Sequence, residues 1–144
     1  MSADEIKYFE IELSELVGRL RSYFASRRDV VVAVLFGSAL RGSLVRDVDV
    51  AVYTASRDLD TLLEIGGELE ELLRMPVDLV PLDQMRPHVR LEALSKGLQI
   101  VVRDRALFTE LLKTAISEVE DLEAVFKHAA PSTKEAHSGS PLLS

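Results

Sequence analysis

The stretch from Leu35 to Tyr53, LFGSALRGSLVRDVDVAVY, decides the fold. It begins inside the β-branched run VVVAVLF (30–36), bounded by turn residues, which is the pattern of a strand covered on both faces. The run stops at Gly37-Ser38, passes a short turn or helix and Arg41-Gly42, and resumes as a second strand in VDVAVY (48–53). Asp47 and Asp49 are two residues apart there, so their side chains project from one face while Val48 and Val50 point into the core. Two like charges so close raise one pKa or call for a cation. A hard divalent ion such as Mg²⁺, which takes a couple of carboxylates plus substrate phosphates, meets that need. Gly37 permits close backbone approach, and a helix starting at Ser38 would aim free N–H groups at an anion, phosphate being the obvious one.

Outward from this stretch the periodicity alternates between helix and strand. Ile6, Phe9, Leu13, Leu16, Val17, Leu20, Tyr23 and Phe24 recur at helical spacing and predict a first helix capped by Ser2 or Asp4. After VDVAVY, Ser56 or Asp58 begins a helix carrying Leu62, Leu63, Ile65, Leu69, Leu72 and Leu73, with Gly66-Gly67 as its weak point and Pro76 closing it. VDLVPL (77–82) supplies a third strand, and Asp83 opens a short helix through His88 to Lys96, which Gly97 ends. LQIVV (98–102) is a final strand. Asp104 then caps a long helix whose apolar stripe runs from Leu107 to Phe126, longer than one small sheet requires and wide enough for a dimer or partner surface. The expected architecture is α/β, with a small mixed or mainly parallel sheet flanked by helices. Its domain spans residues 1–128, and 129–144, rich in Ser, Pro and small residues, is expected to be a disordered tail.

Composition narrows the chemistry. The 144 residues are 47% hydrophobic and 28% charged, the mixture of one globular domain. A formal charge of −7 with no long Lys/Arg run argues against direct nucleic-acid binding. The absence of cysteine excludes disulfides and thiolate metal sites and fits a reducing compartment, so any metal sits on oxygen or histidine. The longest apolar run, Val30 to Gly37, falls far short of the ~20 residues of a membrane span. The opening MSADEIKYFE has neither the basic start nor the apolar core of a secretory signal, and the expected location is the cytoplasm. No GxxxxGK[ST] loop, GxGxxG fingerprint, HExxH helix or GxSxG elbow occurs, which removes P-loop ATPases, dehydrogenases, zinc proteases and α/β-hydrolases.

Asp78 lies between apolar neighbours as Asp49 does and joins the pair if the second and third strands lie side by side. An apolar strand, Gly37-Ser38, a spacer, Asp47-x-Asp49 and Asp78 on a later strand resemble the nucleotidyltransferase superfamily of DNA polymerase β. The phrases FGSALRG, DVDVAVY and VDLVPLD look closest to the minimal nucleotidyltransferases, small prokaryotic proteins often encoded beside an α-helical HEPN partner; the resemblance covers residues 5 to about 127. It implies that Gly37 and Ser38 hold the triphosphate of ATP, that Asp47, Asp49 and Asp78 bind two Mg²⁺, and that Asp78 helps to deprotonate an acceptor hydroxyl. It also implies an antitoxin-like role, with AMP moved onto a tyrosine of a HEPN toxin. Arg41 and Arg46 can each touch a phosphate or stand as solvated loop charges; Arg41 is kept as the candidate.

Two other readings stay open. One is a small-molecule nucleotidyltransferase of the aminoglycoside type, although the chain lacks the extra substrate domain such enzymes usually carry. The other is a binding module that neutralises a helical partner without turnover. The spacer of eight residues between Ser38 and Asp47, short for the family, supports the second, and an intact set of three Asp speaks against it. His88, His128 and His137 have no partner at metal spacing and read as surface residues.

Overall fold

The computed structural model describes residues 8–42 and 44–129. Four strands form one sheet in the order β5-β4-β2-β6: β2 (Val30–Phe36), β4 (Val48–Thr54), β5 (Val77–Pro81) and β6 (Leu98–Val102). β2 runs antiparallel to both β4 and β6, whereas β4 and β5 are parallel, so the sheet is mixed. Two layers of helix cover it. α1 (Leu13–Ala25) and α2 (Leu59–Leu73) seal one face, where Leu16, Leu20, Phe24, Ile65 and Leu69 meet Ala33, Leu35, Val48, Val50 and Val52. α3 (Pro87–Lys96) and α4 (Arg105–Ala129) seal the other, where Ala93, Leu94, Phe108 and Ala115 meet Val32, Val34 and Ala51. Burial on both faces explains why β2 and β4 read as nearly continuous apolar runs.

Several local expectations hold. The Asp58 carboxylate accepts the Thr61 N–H at 2.8 Å and caps α2, and the Asp104 carboxylate accepts the Leu107 N–H at 3.0 Å and caps α4. α2 passes through Gly66-Gly67 unbroken and ends at Leu73, where Arg74 takes the left-handed conformation.

Others are corrected. Phe9 is not helical: Phe9–Glu10 form a two-residue strand, β1, antiparallel to β3 (Leu44–Val45), and α1 starts only at Leu13 after Glu12. Pairing Phe9 with Val45, itself almost wholly buried, overrides the helical spacing of Ile6 and Phe9. The proposed caps Ser2 and Asp4 lie outside the described residues. Asp83 does not open α3; it sits in a 3₁₀ turn, Leu82–Gln84, and its carboxylate pairs with Arg57. α3 begins at Pro87, because a proline needs no N–H partner in the first turn and forces Arg86 to be extended. The helix expected from Ser38 is only a four-residue 3₁₀ turn, Gly37–Leu40. α4 spans Arg105–Ala129, and residues 130–144 of the expected tail lie outside the described residues.

The stripe on α4 divides in two. Phe108 and Ala115 are buried in the core shared with the sheet and α3, and Val119 is buried too, whereas Val125 and Phe126 are exposed on the last turns. Among the described residues no helix is long and apolar enough to cross a membrane.

Candidate active site

Strand alternation places the carboxylates. On β4 the side chains of Val48, Val50 and Val52 point toward α1 and α2, so Asp49 shares the opposite face with Ala51. β5 repeats the pattern, with Val77 and Leu79 on the first face and Val80 on the second, which turns Asp78 to the same side as Asp49. The parallel ladder then sets Asp49 directly beside Asp78. Both stand at the ends of their strands nearest Asp47, which precedes β4 by one residue. The condition set by the sequence, that the second and third strands be neighbours, is met.

Asp49 is half-buried and its carboxyl is pushed up to about 6. Loss of solvent is the main cause, followed by the charges of Asp47 and Asp78; Arg41 opposes them, and a side-chain hydrogen bond with Asp78 adds to the rise. The expected consequence of clustered like charges is therefore present at Asp49, on which both other carboxylates act. Asp78 itself is exposed and open to an incoming group.

Gly37 completes the arrangement from β2, whose Phe36 pairs with Asp49 across the antiparallel ladder. Its φ of +85° is a conformation side chains rarely adopt, and a Cβ there would overlap the Asp49 carboxylate, lying 3.1 Å from Cγ and 3.3 Å from Cβ. Glycine is thus required by the backbone and by the Asp49 side chain together. Gly37→Ala should lower stability by about 2 kcal/mol or more in urea denaturation, since strain and a displaced Asp49 add; a loss below about 0.5 kcal/mol would mean that the turn relaxes freely. Ser38 accepts the Arg41 N–H at 2.9 Å through its carbonyl, which closes the turn. Arg41 is exposed, borders a cavity next to Gly37 and is close enough to act electrostatically on Asp49. Arg46 is exposed, and so are His88 and His128, as expected of surface residues, while His137 lies outside the described residues.

The donor set is oxygen only, and a half-buried carboxyl pressed by two others is short of positive charge, so these residues suit a hard divalent cation. Among the described residues no three His, Cys, Asp or Glu side chains form a ready-made metal cage. A cation here would draw part of its coordination from water or phosphate, as Mg²⁺ commonly does.

A Gly-Ser turn that closes one strand, with carboxylates on the adjacent strand and on the strand beyond it, defines a nucleotidyltransferase domain of the polymerase β type. Residues 19–106 match the family Polymerase beta, Nucleotidyltransferase, and the chain belongs to it. No curated protein sequence matches it. Among solved structures it is similar to a toxin–antitoxin with AMP-PNP, at 23% identity and a TM-score of 0.63, covering 85% of this chain and 98% of the other. It is also similar to a mutant MntA–HpeT toxin–antitoxin, at 20% identity and a TM-score of 0.64, with the same coverage of 85% and 98%. A third is the tri-AMPylated Shewanella oneidensis HEPN toxin in complex with MNT antitoxin, at 22% identity and a TM-score of 0.59, covering 84% and 93%. At these identities the likeness is one of fold.

Proposed function

We propose that this protein is an Mg²⁺-dependent nucleotidyltransferase that moves AMP from ATP onto a hydroxyl, the acceptor being a tyrosine of a HEPN-type helical toxin that it silences. The observation that carries the reading is the placement of Asp49 beside Asp78 on adjacent parallel strands, with the Gly37 turn packed on Asp49. Family membership supports nucleotidyl transfer, and fold neighbours that include a complex with AMP-PNP and an AMPylated HEPN toxin support ATP and the acceptor.

In this reading Asp47, Asp49 and Asp78 would hold the cation, which when bound draws charge from the phosphates and the leaving group. A count of two ions rests on the family resemblance. The acceptor oxygen attacks the α-phosphorus in line, the bond from that phosphorus to the bridging oxygen breaks, and pyrophosphate leaves. Asp78, exposed and at the strand end, takes the hydroxyl proton. Gly37 and Ser38 let the triphosphate approach the backbone, and Arg41 meets its negative charge. The chain contributes mainly positioning, which suits a domain of this size. The transferred AMP group would place bulk and negative charge on the toxin's tyrosine. We place the protein in the cytoplasm, with residues 1–128 as the transferase domain.

The test is to incubate the protein with Mg²⁺ and α-labelled ATP, with and without a HEPN-type helical protein. Label on a partner tyrosine with stoichiometric pyrophosphate, abolished by EDTA, is the expected result. Tight partner binding without label under any nucleotide or divalent metal would replace this reading with the non-catalytic binding module. Label on an aminoglycoside but not on the partner would favour the small-molecule transferase.

A further inference from the structure

A cavity of about 360 Å³ lies between the Gly37–Leu40 turn and α3, within the size range of small-ligand sites. Its apolar walls are Phe36, Leu40 and Val89, and its charged groups are Arg41, Glu92 and Lys96. Val89, Glu92 and Lys96 follow at i, i+3 and i+7, so α3 turns one continuous stripe toward the cavity. That wall is held firmly. The Gly97 N–H donates to the Ala93 carbonyl at 2.9 Å and stops the helix, and a Cβ on Gly97 would collide with the Ala93 carbonyl and the Val34 side chain and stand 3.0 Å from the Leu35 carbonyl. The end of α3 is therefore pressed onto β2, two residues before Gly37, and Lys96 lines the same cavity as Arg41.

In a chain of charge −7, a cavity lined by two cations and one carboxylate, Glu92, carries a small local excess of positive charge beside a carboxylate cluster. Among the described residues neither Arg41 nor Lys96 joins an ion pair with Asp or Glu. A polyanion with an apolar end fits this lining. Resting on the nucleotidyltransferase reading above, we propose that the α3 wall is the outer half of the nucleotide site and that Lys96 contacts the phosphates of the bound nucleoside triphosphate. Val89, Leu40 and Phe36 then enclose its apolar part. Lys96 lies outside the Gly-Ser and Asp-x-Asp stretches and also falls in the last turn of α3, where a cation offsets the helix dipole. The test must therefore separate binding from helix stability.

Titration calorimetry with Mg²⁺ and α,β-methylene-ATP, whose blocked bond prevents transfer, is compared with adenosine for the wild type, Lys96→Met and Lys96→Arg. Lys96→Met should weaken the triphosphate at least about 10-fold, as expected for a lost charge-assisted contact, while leaving adenosine binding and the melting temperature nearly unchanged; Lys96→Arg should restore most of the triphosphate affinity. Wild-type affinity for the triphosphate in Lys96→Met would overturn the proposal and leave Lys96 as a helix-end charge. Equal weakening of adenosine and triphosphate would overturn it as well, since the wall would then act by shape. A wild-type protein that binds no triphosphate at all would sink this proposal and the nucleotide reading together, which sets that failure apart from the other two.

Discussion

Asp49→Asn is expected to reduce nucleotidyl transfer by at least about 100-fold, more than the loss of an outer-shell partner of a metal ligand usually costs. The same change should stabilise the metal-free protein at neutral and alkaline pH. In the wild type the Asp49 carboxyl is pushed up to about 6 by burial and by Asp47 and Asp78, against a usual value of 3.8. The native state therefore holds this proton more tightly than the unfolded chain, so stability falls as pH rises from about 4 to about 6, and the cost is complete above that window. The pKa gap sets an upper limit of about 3 kcal/mol, and solvent screening at this half-open site reduces the expected gain to about 1 kcal/mol. Urea denaturation of both proteins in EDTA from pH 4 to pH 8 checks it. The difference should open across that window and stay flat beyond pH 7. Added Mg²⁺ should raise the stability of the wild type at pH 8 and have much less effect on Asp49→Asn. An Asn variant that keeps wild-type transfer, or one less stable than the wild type at pH 8, contradicts the assignment of Asp49 as an uncompensated cation ligand.

Such a destabilising cluster is legible in the sequence, because the features that define it are local. Asp47-x-Asp49 inherits its geometry from strand alternation, and the apolar runs around Asp49 and Asp78 mark their strands. That Asp78 lands beside Asp49 required one further fact, the parallel pairing of β4 with β5, which the chain states only through the helix that connects them. What escaped the sequence is non-local or aperiodic. Phe9–Glu10 and Leu44–Val45 are two-residue strands, too short to show a period, so the helical spacing of Ile6 and Phe9 misled. Pro87 marks the true start of α3, but Asp83 offered a competing cap and is instead spent on Arg57. Lys96 ends a short helix in the sequence, and its place in the lining of the cavity beside Gly37 depends on the seat of Gly97 on β2, a contact distant along the chain. Arg90 gave no signal at all. A charged residue in a short helix reads as surface, and its burial depends on backbone carbonyls contributed by a different connection.

Arg90 is also where the largest loss of stability outside the apolar core is expected. Only 8% exposed, it lies between α3, α4 and the chain that leaves β5. Its Nε donates to the Leu82 carbonyl at 2.8 Å and its Nη2 to the Met85 carbonyl at 2.6 Å, while Nη1 donates to Glu118 of α4 at 2.5 Å. Arg90→Met fills part of the volume but removes the partner of the Met85 carbonyl and leaves the Leu82 carbonyl only the long 3.4 Å bond from the Met85 N–H, and a lost partner in so buried a connection costs about 1 to 3 kcal/mol. The expected total is about 3 kcal/mol, seen as a lower urea midpoint with little change in slope. Glu118→Gln should cost under about 1 kcal/mol, because that carboxylate is largely solvated and the exposed arm of such a pair contributes little. If the two variants cost the same, the ion pair rather than the carbonyls holds the joint. The consequence reaches the site as well. Leu82 and Met85 follow directly on the strand that carries Asp78, and Arg90 lies on the helix that ends in Lys96, so one guanidinium couples the carboxylate edge to the α3 wall of the cavity. Loosening it should weaken triphosphate binding even where most of the protein remains folded, and Glu118→Gln, which spares both carbonyl contacts, should not.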